Sequence, residues 1–234
     1  MTSAIETGLP SDDKFSAALR GFGPLGIVAI LAILLSGNVF VGPMIALPIG
    51  AALVLVWRSL SRTPWSAIGY VRPRSWILTA AAGITFGVAF KFAMKAVVMP
   101  LVGAPAINPT YHFLAGNRAM LPAAIWAMFV AGFGEETVFR GWMFERLGKL
   151  LGSTVAVRST IVILTSILFG LGHYMNQGIP GVEQAAIVGL VLGTIFAMTG
   201  RVFMLMIAHA AFDLTALWMI YCDLETHIAH LVFK

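Results

Sequence analysis

The sequence predicts an all-α protein, a multi-pass transmembrane helical bundle of about seven spans around a polar chamber inside the membrane. Its composition, the lengths of its apolar runs and the few charges placed within those runs all point there. Of the 234 residues, 59% are hydrophobic and 11% charged, and the mean hydropathy is +0.90. Soluble domains are typically about 45–50% apolar and about 25% charged. The formal charge of +5 does not come from any Lys/Arg-rich run, so no nucleic-acid partner is expected. Cys222 is the single cysteine, which excludes an intrachain disulfide. No repeat or low-complexity segment stands out.

The elements follow in order. Residues 1–20 form a polar N-terminal tail. The apolar run after them has no small-residue cleavage site at its end, so a retained helix is expected rather than a signal peptide. Apolar runs of about 17–25 residues are able to cross a bilayer. They lie near 22–38, 42–57, 77–102, 121–146, 160–176, 183–199 and 202–222. The first two are separated by "SGNVFVGP", whose Gly and Pro predict either a tight hairpin or one interrupted element. The connection 58–76 carries Trp, Tyr and Pro and reads as interfacial. Four regions result: the tail 1–20, N-terminal helices and interfacial segment 21–119, a helical core 120–223 and a C-terminal tail 224–234.

Basic residues orient the chain. With the N-terminus in the cytoplasm, ten fall on that side: Lys14, Arg20, Arg58, Arg62, Arg72, Arg74, Arg146, Lys149, Arg158 and Arg201. Only Arg118 and Lys234 fall on the other. The bias predicts an internal N-terminus and an external C-terminus. The expected location is a cell membrane, the inner membrane of a prokaryote.

The charges within the spans carry the functional signal. A charged side chain at the bilayer centre costs about 2.5–3.5 kcal/mol on insertion scales and normally faces a bundle interior or watery cavity. Here such groups cluster in the C-terminal half: Glu135, Glu136 and Arg140 in the fourth span, His173 in the fifth, His209 and Asp213 in the seventh. Glu136 and Arg140 are four residues apart and able to pair on one helix face. Glu135 diverges from Glu136 by about 100°, one residue's share of a helical turn. The pattern predicts a held pair and a free carboxylate; a wholly structural ion-pair triad is the alternative. His209 and Asp213 share the same spacing, so Asp213 is positioned to orient the imidazole, or the two simply bond helices together. Gly132, Gly134, Gly170 and Gly172 allow helices to approach closely. Lys91 and Lys95, also four apart, are expected to snorkel, then in order of preference to meet an anionic lipid or a substrate carboxylate. The loop 103–120 is a candidate gate from the far side.

A free carboxylate with two histidines suits hydrolysis. The carboxylate acts as general base toward water, one histidine shares that water, and another donates to a developing oxyanion. The sequence holds no HExxH, GxGD or GxSxG motif. Three motifs do stand in order: "EETVFR" (Glu135 to Arg140), "FGLGH" (Phe169 to His173) and "HAAFD" (His209 to Asp213). As EExxxR, FxxxH and HxxxN/D on successive membrane segments, they resemble the CAAX protease and bacteriocin-processing (CPBP, or Abi) family of intramembrane glutamic endopeptidases, over about 120–223. The resemblance implies Glu135 as the water-activating base with His173 beside it. Glu136 and Arg140 would shape the site, and His209 with position 213 would form the oxyanion hole. The family often has Asn at that last position. An ionised Asp213 has no proton to donate, so it is either protonated or orients His209.

The resemblance implies no cofactor and no metal, and as partners the bilayer and a membrane-associated protein or peptide substrate. It leaves the oligomeric state open. Composition alone also permits a zinc-dependent variant using Glu135, His173 and His209, because zinc accepts a His₂Glu set. From another class, a non-catalytic scaffold or proton-coupled carrier remains, since intramembrane acids and histidines also build proton relays.

Overall fold

The computed structural model describes residues 11–36 and 43–233. Most of the break expected between the first two spans lies outside the described residues, as do residues 1–10 of the tail. Every regular element among the described residues is helical. The chain divides into two compact units, Met1–Trp65 and Ser66–Lys234.

The first unit holds α1 (Ser11–Arg20), α2 (Pro24–Ser36) and α3 (Pro43–Leu60). Its polar side chains close the ends of its helices. Arg20 donates to the Ser61 carbonyl at 2.5 Å, Ser16 to the Leu60 carbonyl at 2.9 Å, and the Trp57 indole to the Leu19 carbonyl at 3.1 Å.

The second unit is the larger bundle. Helix α4 runs Trp76–Leu101. Ser75 caps its start by accepting from the Leu78 amide, and a π-helical turn, Met94–Val98, interrupts it. Helix α5 (Leu121–Glu136) continues through a second π-helical turn, Thr137–Met143, into α6 (Phe144–Leu151). Thr154 caps α7 (Val155–Gly172) through the Val157 amide. His173 ends α7 and leads into α8 (Tyr174–Thr199), which is broken at Gly178, a left-handed position (φ 61°) open to glycine. Gly200, also left-handed, closes α8. Then come α9 (Phe203–Tyr221) and the short α10 (Glu225–Ala229).

Helix α9 is the axis of this unit: 61% of its most apolar stretch is buried, against 22% for α4. Glycines set its spacing to its neighbours. A Cβ on Gly87 of α4 would lie 2.1 Å from the Ala208 carbonyl oxygen, and one on Gly132 of α5 would lie 2.6 Å from the Ala210 nitrogen. Leu205 and Phe212 of this axis share one apolar core with Met94, Phe169 and Leu192.

The all-α membrane bundle is as expected; the spans are less uniform than about seven equal crossings. Four helices are long and apolar enough to cross by themselves: Trp76–Leu101, Val155–Gly172, Tyr174–Thr199 and Phe203–Tyr221. Asp13–Arg20 and Pro24–Ser36, bent by 57°, make a fifth if they form one span. The expected span 121–146 is helical throughout, but its two adjacent carboxylates lower its hydropathy. The apolar helix Pro48–Leu60 is short. The fifth expected span stops at Gly172 rather than 176, because the chain turns at His173.

Candidate active site

The site is built where α5, α7 and α9 meet. Glu135 and Glu136 close the last α-helical turn of α5, and the π-helical turn starts at the next residue. Such insertions widen a helix locally and recur at functional sites. Thr137, at its start, donates to the Phe133 carbonyl at 2.7 Å and accepts from the Tyr70 hydroxyl at 2.7 Å. Burial pushes the Tyr70 phenol above its usual range, against the smaller opposite effect of Thr137. It therefore keeps the proton it donates. The segment before α4 thus fastens the end of α5.

The two adjacent glutamates have different surroundings. Glu136 is fully buried. Its Oε1 accepts from Arg140 at 2.8 Å and faces Nδ1 of His209 at 2.9 Å. Arg140 is itself buried, reaches the Gly189 carbonyl at 3.4 Å and lies 4.8 Å over the Phe169 ring. Gly189 lets α8 approach α7: a Cβ there would lie 2.9 Å from the backbone of Ser166. Glu135 is 8% exposed. Its Oε2 stands 3.6 Å from Nε2 of His209, beyond hydrogen-bond distance, and among the described residues no side chain or amide bonds to it.

His209 therefore sits among three carboxylates. Nδ1 faces Glu136 and Nε2 lies 3.6 Å from both Glu135 and Asp213. The bond that orients the ring comes from Glu136, on another helix, while Asp213 stands too far from Nε2 for a hydrogen bond. His173 bonds the Phe169 carbonyl through Nδ1 at 2.8 Å. As the donor there, it presents Nε2 as an acceptor. Phe169 packs edge-on against both histidine rings, at 4.9 Å from His173 and 5.8 Å from His209. One apolar ring thereby sets the spacing of both imidazoles and of Arg140. All six residues singled out in the sequence lie in this neighbourhood; His173 is in electrostatic reach of Glu135 and Asp213.

Two further groups lie within electrostatic reach of these carboxylates. Tyr111, from the loop 103–120, takes a long contact of 3.5 Å from Gln177. Burial, then the charges of Asp213 and Glu135, push its phenol upward, so it stays protonated. The only sequence signal for it was the loop's aromatic, proline-bearing composition. Lys91 donates to Gln184 at 2.9 Å and lies 4.8 Å over the Phe212 ring. Lys95 pairs with Glu225 at 3.0 Å and donates to the Ala106 carbonyl at 2.6 Å. Both lysines are buried, 6% and 8% exposed. The expectation that they snorkel is corrected: each finds a partner inside the protein, which removes the need to reach the interface.

Among the described residues no group of three His, Cys, Asp or Glu side chains is arranged to hold a metal ion. Gly170 lets α7 approach α8, with a hypothetical Cβ 2.9 Å from the Val182 carbonyl oxygen, whereas Gly172 faces open space.

Residues 117–215 match the family model described as type II CAAX prenyl endopeptidase, Rce1-like. The matched stretch contains all six candidate residues and excludes Lys91, Lys95 and Tyr111. No curated protein and no solved structure shows a significant match.

Proposed function

We propose, from the match of residues 117–215 to the type II CAAX prenyl endopeptidase model, that this protein is a glutamic intramembrane endopeptidase of the CAAX protease family. It hydrolyses a peptide bond of a membrane-associated protein or peptide precursor, with a prokaryotic inner membrane as the expected setting. One observation carries the mechanism. Glu135 is a buried carboxylate that no described residue hydrogen-bonds, beside an imidazole that a different carboxylate, Glu136, already holds.

In this reading Glu135 takes a proton from water, with Nε2 of His173 as a second acceptor. The water oxygen adds to the peptide carbonyl carbon, and the carbonyl oxygen becomes an oxyanion. His209, bonded to Glu136 through Nδ1–H, donates Nε2–H to that oxyanion when the ring is doubly protonated. The C–N bond then breaks and Glu135 returns its proton to the leaving amine. Glu136 and Arg140 do not touch the substrate; they hold the ring. Asp213, near Nε2, lies on the opposite charge of the imidazolium.

The test compares wild type with Glu135→Gln, both reconstituted in vesicles, on a prenylated CAAX peptide, and in cells by proteomics for an accumulating precursor. Cleavage is expected to vanish and a precursor to appear. Processing by Glu135→Gln at normal protein levels would overturn the reading and favour a scaffold or carrier.

A further inference from the structure

The lysines of α4 provide an internal comparison. Lys95 has the surroundings expected of a structural cation: Glu225 at 3.0 Å and a backbone carbonyl at 2.6 Å. Glu225 in turn accepts from the Asn108 amide at 3.1 Å. Lys91, one turn earlier and just as buried, has only a neutral acceptor, Gln184, and the face of Phe212. No carboxylate lies within 4.0 Å of its ammonium among the described residues. An ammonium carries three donors, and one hydrogen bond is seen.

Its position is informative. Phe212 follows His209 by three residues and precedes Asp213, so Lys91 lies beside the stretch of α9 that carries the site. It is in electrostatic reach of Asp213. Three carboxylates, Glu135, Glu136 and Asp213, surround His209 there. Arg140 is committed to Glu136 and Lys95 to Glu225. An anionic group entering there meets repulsion that Lys91 alone among these cations is placed to offset. A buried cation facing no direct counter-ion is costly unless something pairs with it.

We infer that Lys91 is a specificity-determining residue, binding a carboxylate of the substrate, with the free C-terminus of the peptide as its first source. The inference rests on the protease reading for its substrate, and on residues outside the family match for its evidence.

The experiment uses the full chain in nanodiscs carrying Glu135→Gln, so that peptide binds without turnover. The probes are a fluorescent prenylated CAAX peptide with neutral side chains, as free acid and as C-terminal amide, and an amide with Asp as its last residue. The free acid is expected to bind at least tenfold tighter than the plain amide. Adding Lys91→Met should bring the acid to the amide's affinity and leave the amide unchanged, which also reports an intact fold. Lys91→Arg should restore most of the preference. If the Asp-bearing amide binds as the acid does, the site takes any carboxylate; if it binds as the plain amide does, the site reads the terminus. Equal binding of acid and amide, a preference that survives Lys91→Met, or no binding of any probe overturns the inference. Cleavage of the acid by the protein with Glu135 intact is scored separately. A preference without cleavage removes the protease reading and leaves Lys91 as a binding site; cleavage without a preference does the reverse.

Discussion

Glu135 and Glu136 are neighbours in sequence with opposite surroundings. Glu136 is fully buried between Arg140 and His209, and Glu135 has open coordination beside the same ring. Their substitutions should therefore separate stability from activity. Arg140→Met strands a buried carboxylate, and breaking such a pair costs about 3–5 kcal/mol; a clearly lowered melting temperature in a bilayer mimic is expected. Glu135→Gln should leave melting close to wild type while cutting turnover by at least the roughly 10²–10⁴-fold typical of a lost general base. Equal melting losses in the two variants would instead make the cluster a structural ion triad. The same chemistry sets the pH profile. In the proposed mechanism turnover needs Glu135 unprotonated and His209 protonated, so kcat/KM should fall at both extremes. In Glu135→Gln the acid limb should be absent from any residual rate. Cleavage by wild type is expected to persist in a strong zinc chelator; its loss, restored by zinc, would return the His₂Glu reading.

At the scale of elements, the site depends on how closely α5, α7 and α8 approach their neighbours. Gly132 and Gly170 each stand where a Cβ would meet another helix's backbone below 3.0 Å, and Gly172 where it would meet nothing. Gly132→Ala should therefore push α5 from α9, part Glu135 and Glu136 from His209, and cost about 1–3 kcal/mol as overpacking does. Gly172→Ala, in the same kind of glycine pair, should be tolerated. Thermal unfolding and cleavage of the two variants check this, and equal effects would contradict it. The loop 103–120 is fastened at several points: Thr110 to the Asn176 carbonyl at 2.8 Å, Lys95 to Ala106, and Asn108 to Glu225. A loop so held keeps Tyr111 within electrostatic reach of Asp213 and Glu135.

For the whole molecule, the lipid is the missing solvent. Ile77, Val155, Met175 and Met198 are each more than 80% exposed, a surface that only an apolar medium covers without association. The basic bias predicts that the C-terminal end of α9 faces outward. Cys222, the only cysteine, follows that helix and is exposed. A membrane-impermeant maleimide should label it in intact cells. In a Cys222→Ser background, Arg72→Cys should be labelled only after permeabilisation. The reverse pattern would invert the topology.

Much of this protein was legible in one dimension. Composition and run length determine that it is an all-α membrane bundle, because lipid leaves the backbone no other way to satisfy itself within a single segment. Helical spacing determines the Glu136–Arg140 pair, because residues four apart meet whatever the rest of the chain does. Spacing favoured Asp213 as the partner of His209 for the same reason, yet the 2.9 Å bond comes from Glu136, 73 residues away. The π-helical turn after Glu136, the ring of Phe169 between two histidines, the burial of Lys91 without a counter-ion and the reach of Tyr111 were also decided only by tertiary structure. Each depends on which helix faces which, and that is settled by packing between distant segments through glycine contacts and apolar surfaces. Local periodicity carries no information about those partners.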